Sequence, residues 1–303
     1  DDEKNTVQKP MIKYAVETGW KYISNDEALS MRQGEGGLLF YDVLRRKLID
    51  LNPGVINPDN VDDVVNRIES VRNNIDGNYE VLKWLRGEKS IYVKNENRER
   101  NISLIDYSNI NRNAFHLTDE WSYTNGKKNN RADIIFVING IPVAIVETKS
   151  ELNNIDDALL QIQRYHSETP ELMTFVQIFL AVSLTDFRYG VSWNMNRKNI
   201  FKWKDEENAD FEKKVKVFFL KESFLGLIKD WIVFYLKDDE LNKIVLRQHQ
   251  IRAVEKVVER AIDPAKKRGL VWHTQGSGKT FTMIKSAELL IRLPVKPTVL
   301  MLV

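Results

Sequence analysis

The stretch RADIIFVINGIPVAIVETKS, residues 131–150, constrains the fold of this chain more than any other segment. Two runs of apolar, β-branched residues flank Asn139-Gly140, a dipeptide that is typical of a tight turn between antiparallel strands. The segment therefore predicts a β-hairpin. Charged residues stand at the open ends of both strands, where a buried hairpin would normally carry none.

These charged residues are Asp133 on the first strand and Glu147 and Lys149 on the second. Two carboxylates at neighbouring strand ends can hold a hard divalent cation through oxygen ligands, and a nearby ammonium can stabilise a developing phosphate anion. A surface hairpin with solvated ends is the alternative, and the residue types alone leave both open.

The register of the hairpin separates these alternatives. A two-residue turn would pair Asp133 with Val146 and leave Glu147 on the opposite face, because side chains alternate along a strand. One extra residue, for instance a bulge at Gly140, would place Asp133 opposite Glu147 with Lys149 on the same side. A functional hairpin therefore requires a bulge or a three-residue turn.

A polar pair follows the hairpin within residues 153–168, which have helical periodicity. Gln161 and Tyr165 are four residues apart, so they share one helical face and can both point back at the strand ends. A solvated surface pair is the alternative.

The remaining pattern indicates an α/β or α+β core. Helical spacing occurs at residues 5–23, 40–53 and 60–75, and strand-like patterns occur at 90–109, 114–124, 175–185 and 187–193. Residues 194–237 are expected to form strands and helices that pack between domains. Because the 303 residues exceed the roughly 250 at which single cores usually stop growing, we expect a second unit to begin near residue 238.

The second unit has the order of a βαβ element. After a helix in residues 241–261, the sequence predicts a strand at 269–274, a loop at 275–280, a helix at 281–293 and a strand at 297–303. We expect the chain to have been cut from something longer at that last strand.

The loop HTQGSGKT, residues 273–280, has the chemistry of a nucleotide-phosphate site. Gly276, Ser277 and Gly278 allow backbone N–H groups to curl round phosphate oxygens, Lys279 can reach the β and γ phosphates, and the Thr280 hydroxyl can bind Mg²⁺. The flanking strand and helix are where this mechanism needs them.

Two neighbouring residues refine the expectation. The side-chain amide of Gln250 could read the adenine edge, although a solvated helical glutamine is equally compatible with the sequence. His273 occupies the first loop position, where phosphate-binding loops usually have glycine, and this favours a helicase-like loop by resemblance.

Composition excludes several classes. The chain has no cysteine, which excludes disulfide scaffolds and thiolate metal sites and fits a reducing cytoplasm. Its net charge of +2 means that DNA would have to be met by metal ions and local clusters such as residues 125–131, NGKKNNR, which could also be an ordinary solvated loop. No apolar run is long enough to span a membrane.

The motifs resemble a known nuclease family. Asp133 followed by Glu147-x-Lys149 is similar to the PD-(D/E)xK motif, and the Gln-x-x-x-Tyr element at 161–165 is similar to that of its RecB-like and type I restriction branches. With the phosphate loop downstream, the chain resembles the N-terminal part of the restriction (R) subunit of a type I restriction-modification enzyme. Two residues depart from the pattern: Ala132, where the superfamily often has proline, and Gln8, where related nucleases often carry a glutamate.

This resemblance implies a PD-(D/E)xK nuclease-like mixed sheet flanked by helices at 1–237, including a connecting segment, and the first part of a RecA-like ATPase at 238–303. It implies a type I site-specific deoxyribonuclease with two cofactor sites, one for Mg²⁺ and one for ATP with Mg²⁺. Expected partners are double-stranded DNA and the modification (methyltransferase) and specificity subunits. S-adenosylmethionine would act only through a partner subunit.

It also implies roles for the site residues. Asp133, Glu147 and the Thr148 carbonyl would hold Mg²⁺, and Lys149 would stabilise the charge at the phosphorus. The glutamine and tyrosine of the 161–165 element would position the DNA backbone or the lysine, and the amide oxygen of Gln8 could assist.

Related alternatives remain. A RecB-like or type III enzyme would use the same parts, but there the nuclease follows the motor, whereas here Asp133 precedes Lys279. A non-catalytic, nucleotide-gated DNA clamp would keep the fold without binding metal at this site.

Overall fold

In the computed structural model, residues 3–203, 209–266 and 268–301 are described. Its largest feature is a seven-stranded mixed sheet in the order β1-β4-β5-β6-β7-β8-β9. Its strands are β1 (Lys21–Tyr22), β4 (Phe115–Thr124), β5 (Asn129–Ile138), β6 (Ile141–Thr148), β7 (Ile178–Val182), β8 (Phe187–Val191) and β9 (Phe201–Lys202). The pairs β1-β4 and β6-β7 are parallel, and the other neighbours are antiparallel.

Two hairpins lie outside this sheet. They are formed by β2 (Ser90–Val93) with β3 (Arg98–Asn101), and by β10 (Ile232–Lys237) with β11 (Glu240–Val245). The second hairpin crosses the expected boundary between residues 237 and 238, so the position of that boundary stays a prediction.

Helices surround the sheet. They are α1 (Lys9–Glu17), α2 (Asn25–Met31), α3 (Tyr41–Leu51), α4 (Val61–Glu69), α5 (Ile75–Leu85), α6 (Ile155–Glu168), α7 (Pro170–Phe175), α8 (Phe211–Phe218), α9 (Lys221–Gly226), α10 (Gln248–Ile262) and α11 (Lys279–Ile291). A π-helical turn, Lys4–Gln8, leads into α1. The predicted α/β class and the three predicted N-terminal helices are confirmed, whereas α2 and α5 were not predicted.

The hairpin predicted at 131–150 lies at the centre of the sheet rather than at the surface. Its turn residues adopt left-handed φ values of 50° at Asn139 and 85° at Gly140, as a type I′ turn requires. The Asn139 side chain is fully buried and holds the backbone of Ala114 and Leu104. A Cβ at Gly140 would stand 2.6 Å from the Phe40 carbonyl oxygen, so the turn accepts only glycine at that position without displacement.

An aromatic cluster joins α1 to the sheet and to the helices that follow β9. Trp20 makes edge-to-face contacts with Phe115, Phe136 and Phe224, and its indole N–H donates to the Phe219 carbonyl at 2.8 Å. These contacts lie within one hydrophobic core, so the N-terminal helix is fixed against the sheet.

The C-terminal part departs from its prediction. The loop and α11 form as expected, but no strand forms at 269–274 or at 297–301, and residues 302 and 303 lie outside the described part. A strand needs a neighbour for its backbone hydrogen bonds, and within the described residues neither segment has one. Leu270 and Trp272 are each 85% exposed as a result. Over the same described ranges, no helix has the length and apolar character required to cross a membrane.

Candidate active site

The β5–β6 hairpin contains the extra residue that the site hypothesis requires. Val137 pairs with Pro142, whereas Phe136 pairs with Ala144, so Val143 is an additional residue on β6. The predicted bulge is therefore confirmed, although it lies within β6 and not at the glycine of the turn. The Val143 carbonyl instead accepts a hydrogen bond from the backbone N–H of Gln177, at 2.9 Å.

This bulge sets the register at the open end of the hairpin. Ile134 pairs with Val146, and continuing that register places Asp133 opposite Glu147. The Asp133 carboxylate oxygen Oδ2 accepts hydrogen bonds from the Thr148 backbone N–H at 2.7 Å and from the Thr148 hydroxyl at 2.9 Å. The two carboxylates are thus brought to one end of adjacent strands.

Glu147 is a fully buried carboxyl group. Its oxygen Oε1 accepts a hydrogen bond from the Tyr165 hydroxyl at 2.7 Å, while Oε2 is buried without a hydrogen-bond partner in the described structure. Burial, and next the negative charge of Asp133, raise the pKa of Glu147 well above its ordinary value. The solvated-hairpin alternative is therefore wrong.

Helix α6 presents Gln161 and Tyr165 to the strand ends, as predicted. The Gln161 side-chain N–H donates to the Tyr165 hydroxyl at 2.8 Å, and this hydroxyl also lies 2.6 Å from the Arg131 carbonyl oxygen. Tyr165 is fully buried, so the surface-pair alternative is wrong for it. Burial and the negative charge of Glu147 raise the pKa of Tyr165, which therefore acts as a neutral hydrogen-bond donor.

Lys149 follows β6 and contacts a residue that sequence reasoning missed. Its ammonium lies 3.8 Å from Glu3 Oε1, and the backbone N–H of Ser150 donates to Glu3 Oε2 at 3.1 Å. Glu3 stands four residues before Val7, a residue on the buried face of the N-terminal helical segment. An acidic residue one helical turn before an apolar face is the feature of the sequence that could have identified Glu3.

Gln8 lies between three acidic residues and is only 3% exposed. Its side-chain nitrogen is 3.4 Å from Asp119 Oδ2, 3.2 Å from Glu120 Oε1 and 3.3 Å from the Asp133 carbonyl oxygen. The group that makes these contacts is the amide nitrogen, whereas the sequence suggested a role for the amide oxygen.

The predicted donor set for a divalent cation consists of two carboxylates and a carbonyl. Within residues 3–203, 209–266 and 268–301, no three histidine, cysteine, aspartate or glutamate side chains converge on a metal position. A cation would therefore need a backbone or water ligand besides Asp133 and Glu147, and the use of the Thr148 carbonyl for this stays a prediction. The unpartnered oxygen Oε2 of Glu147 is the observation that favours such an ion.

The basic loop ahead of β5 has a mixed environment. Lys127 and Lys128 are exposed, and Lys128 lies 3.9 Å from Glu168. Arg131 forms an ion pair with Glu120 at 3.0 Å. Both expectations for this loop, phosphate contact or simple solvation, remain open.

The phosphate loop has the backbone that its glycines predict. Gly276 and Gly278 adopt left-handed φ values of 77° and 80°, and α11 begins directly at Lys279. The side chains of Lys279 and Thr280 are exposed beside this helix N-terminus. The carbonyl oxygen of Ser277 lies 3.2 Å from His249 Nε2.

Gln250 contacts the phosphate loop from α10. Its Oε1 accepts from the Arg247 backbone N–H at 2.7 Å, and its Nε2 donates to the Gly278 carbonyl at 3.0 Å. The side chain is 4% exposed, so the solvated alternative is wrong. Whether this amide also reads adenine stays a prediction.

Comparisons with known proteins agree with the motif order. Residues 2–195 match the family described as the type I restriction enzyme R protein N terminus, and residues 249–303 match the SWI2/SNF2 ATPase family. Two relatives in Methanocaldococcus jannaschii carry the name of type I restriction enzyme endonuclease subunits, MjaVIIP and MjaVIIIP. They are 35% and 37% identical over 67% and 62% of this chain, and over 20% and 19% of their own length.

A further relative, an endonuclease subunit of a type I restriction enzyme from Staphylococcus saprophyticus, is 28% identical over 71% of this chain and 23% of its own length. This chain thus spans about a fifth of the length of the curated relatives that it matches. The family match over residues 2–195 covers more than half of the chain. The site described above lies in the segment that matches the N-terminal region of R proteins. The chain belongs to the family of type I restriction enzyme R proteins.

Proposed function

We propose that this chain carries the Mg²⁺-dependent endonuclease site of a type I restriction enzyme, in a PD-(D/E)xK nuclease fold, and the beginning of its RecA-like, ATP-driven DNA translocase. The observation that carries the nuclease proposal is the register of the bulged hairpin. It brings Asp133 opposite Glu147, one buried oxygen of which has no hydrogen-bond partner among the described residues.

Each residue has a role that follows from its contacts. Asp133 and Glu147, with the Thr148 carbonyl, would hold Mg²⁺, which lowers the pKa of a bound water and polarises the scissile phosphate. Tyr165 donates to Glu147 and fixes the orientation of that carboxylate, and Gln161 fixes the tyrosine hydroxyl. Lys149 would stabilise the negative charge that develops on the phosphate oxygens.

The proton balance at Glu147 follows from its burial. Because its pKa is raised, the carboxyl must lose its proton before it can act as an oxygen ligand. Cation binding would therefore release a proton and strengthen as the pH rises. The positive charge of Lys149 lowers the pKa of Glu147, which favours the ionised form that binds the cation.

The motor proposal depends on the phosphate loop. Backbone N–H groups of the loop at 275–280 and the N-terminus of α11 would hold nucleotide phosphates. Lys279 would pair with the β and γ phosphates, and Thr280 would bind the Mg²⁺ of ATP. The match of residues 249–303 to an ATPase family supports this assignment.

The family supports a proposal for the substrate and the partners. We propose that double-stranded DNA is translocated by the complete subunit, together with modification and specificity subunits, and is cut away from the recognition sequence. Plasmid cleavage by the complete complex with ATP and Mg²⁺ tests this function. Titration of Mn²⁺ into the parental subunit and Asp133→Ala tests the site separately, since absence of metal binding in the parental subunit would favour a non-catalytic DNA clamp.

A further inference from the structure

The N-terminal helical turn, Glu3 to Gln8, contacts every strand that builds the candidate site. Glu3 contacts the end of β6 through Lys149 and Ser150, Lys4 lies 3.6 Å from Glu120 on β4, and Gln8 contacts the Asp133 carbonyl on β5. Residues Lys4–Gln8 form a π-helix, a conformation that occurs frequently at functional sites.

We propose that Glu3 is a positioning residue of the nuclease site, which holds the Lys149 ammonium in place for charge stabilisation at the scissile phosphate. This inference rests on the proposed nuclease function. It adds a residue that precedes the hairpin by more than a hundred positions in the chain.

A lysine needs such a partner in order to hold its ammonium group at one position. Its four-carbon stem is flexible, and fixing it in one rotamer costs conformational entropy. Glu3 offsets this entropy cost through two contacts. One carboxylate oxygen attracts the Lys149 ammonium, and the other accepts a hydrogen bond from the next backbone N–H, at Ser150. A single carboxylate therefore fixes both the side chain and the strand end that carries it.

Solvent screens this pair less than it screens a fully exposed ion pair. The Lys149 side chain is 14% exposed and that of Glu3 is 30% exposed, so solvent screens the pair only in part. Among the described residues, the ion pairs of Lys149 are confined to Glu3. At 3.8 Å the contact is electrostatic rather than a short hydrogen bond, which leaves the ammonium protons free for phosphate oxygens.

Three variants of the full-length subunit in its restriction complex separate these contributions. Glu3→Gln keeps an oxygen that can accept from Ser150 but removes the charge, whereas Glu3→Ala removes both. Glu17→Gln is the matched control: Glu17 is also on the N-terminal helical segment and also pairs with a lysine, Lys216, at 2.6 Å, but that lysine is on α8.

We expect Glu3→Gln to lower kcat for DNA cleavage about 10-fold, within the range for outer partners of a catalytic group, with KM for DNA little changed. Glu3→Ala should lose more, because the strand end is also released. Mn²⁺ affinity should be the same in Glu3→Gln as in the parental subunit, since Glu3 acts on the lysine and not on the cation. The control should cut DNA at the parental rate.

The outcomes separate this inference from the function on which it rests. Parental cleavage by Glu3→Gln, while Lys149→Ala is inactive, would overturn the positioning role and leave the nuclease assignment intact. Parental cleavage by Lys149→Ala would instead overturn the nuclease assignment. Loss of Mn²⁺ affinity in Glu3→Gln would make Glu3 a metal ligand and contradict the proposal, as would a rise in KM without a change in kcat.

Discussion

The hairpin site and the phosphate loop differ in the groups that would carry their chemistry. At the hairpin, side chains would carry the proposed chemistry: Glu147 and Tyr165 are fully buried and joined by a hydrogen bond. At the phosphate loop, backbone N–H groups would carry it, and the side chains of Lys279 and Thr280 are exposed. The side chains of the first site are thus held by hydrogen bonds within a buried hairpin, whereas the second site consists of one loop and one helix terminus.

This difference shows where each site obtains its precision. The hairpin is central in a seven-stranded sheet, so strand register alone determines which carboxylates meet. The phosphate loop follows residues 269–274, which form no strand, and its hydrogen bonds to α10 involve Gln250 and His249. Changes at the hairpin should therefore abolish chemistry, and changes near the loop should weaken nucleotide binding.

The largest expected effect is that a change at either site removes the function of that site and leaves the other site working. In the full-length enzyme, Asp133→Ala should reduce cleavage by at least about a thousandfold, because the ion loses a ligand, and should leave ATP hydrolysis intact. Lys279→Ala should abolish ATP hydrolysis while Mn²⁺ binding at the hairpin persists. Parallel assays of cleavage, ATP turnover and Mn²⁺ titration measure this. Loss of ATP turnover in folded Asp133→Ala, or loss of Mn²⁺ binding in folded Lys279→Ala, would show that the sites are not separate.

Tyr165→Phe should have the next largest effect, a loss of cleavage of about 10- to 100-fold. The Tyr165 hydrogen bond lowers the pKa of Glu147, so its removal should raise that pKa further and move the acidic limb of the pH–rate profile to higher pH. Tyr107→Phe is the control, since it removes the hydroxyl of a partly buried tyrosine, one that donates to the Leu85 carbonyl. An unshifted profile in Tyr165→Phe would contradict the assigned role.

Gly278→Ala, with Gly276→Ala as its control, tests the contact between the phosphate loop and Gln250. Both glycines have left-handed φ values, so each alanine should cost about 1–2 kcal/mol of backbone strain. A Cβ at Gly278 would also lie 2.3 Å from Gln250 Nε2, whereas at Gly276 nothing lies within 4 Å. Equilibrium binding of an ATP analogue to the full-length subunit should therefore weaken more for Gly278→Ala, and equal losses would show that the Gln250 contact is unimportant.

The sequence predicted the hairpin site well because its determinants are local. Asn139-Gly140 identified the turn, side-chain alternation showed that an extra residue was required, and four-residue spacing placed Gln161 and Tyr165 on one face. The position of the bulge was not predictable in this way. It depends on Val143 meeting Gln177 of the following segment, which is a tertiary contact.

The features that the sequence did not predict correctly were missed for physical reasons. Helix α2 is only seven residues long and is stabilised by its Ser24 cap, which accepts from Glu27, so it shows little apolar periodicity. Glu3 and Lys149 are distant in the chain, and no spacing rule relates them. The segment at 269–274 has the apolar composition of a strand, but composition cannot supply the neighbouring strand that would pair with it.

The smallest expected effect is on stability and concerns Glu147→Gln in the absence of divalent metal. The pKa of Glu147 is raised in the folded state by burial, so between the unfolded and folded pKa values the folded chain binds more protons than the unfolded chain. This carboxyl therefore removes stability as the pH rises above its ordinary value of 4.5, and glutamine, which cannot ionise, escapes that loss. The variant should melt at a higher temperature than the parental chain at neutral pH, by about 2–4 °C for each kcal/mol, and the difference should vanish near pH 4.

Glu17→Gln is the control of opposite sign. The pKa of Glu17 is lowered by its hydrogen bond with Lys216, so its replacement should give no gain at neutral pH. Mg²⁺ should then reverse the order, since it can stabilise the parental site but binds the glutamine variant poorly. Thermal melting at several pH values, with EDTA or with Mg²⁺, measures all three differences. A lower melting temperature for Glu147→Gln in EDTA at neutral pH would mean that the buried carboxylate is already stabilised without a cation. The contrast between a buried hairpin site that needs a cation and an exposed phosphate loop would then be wrong.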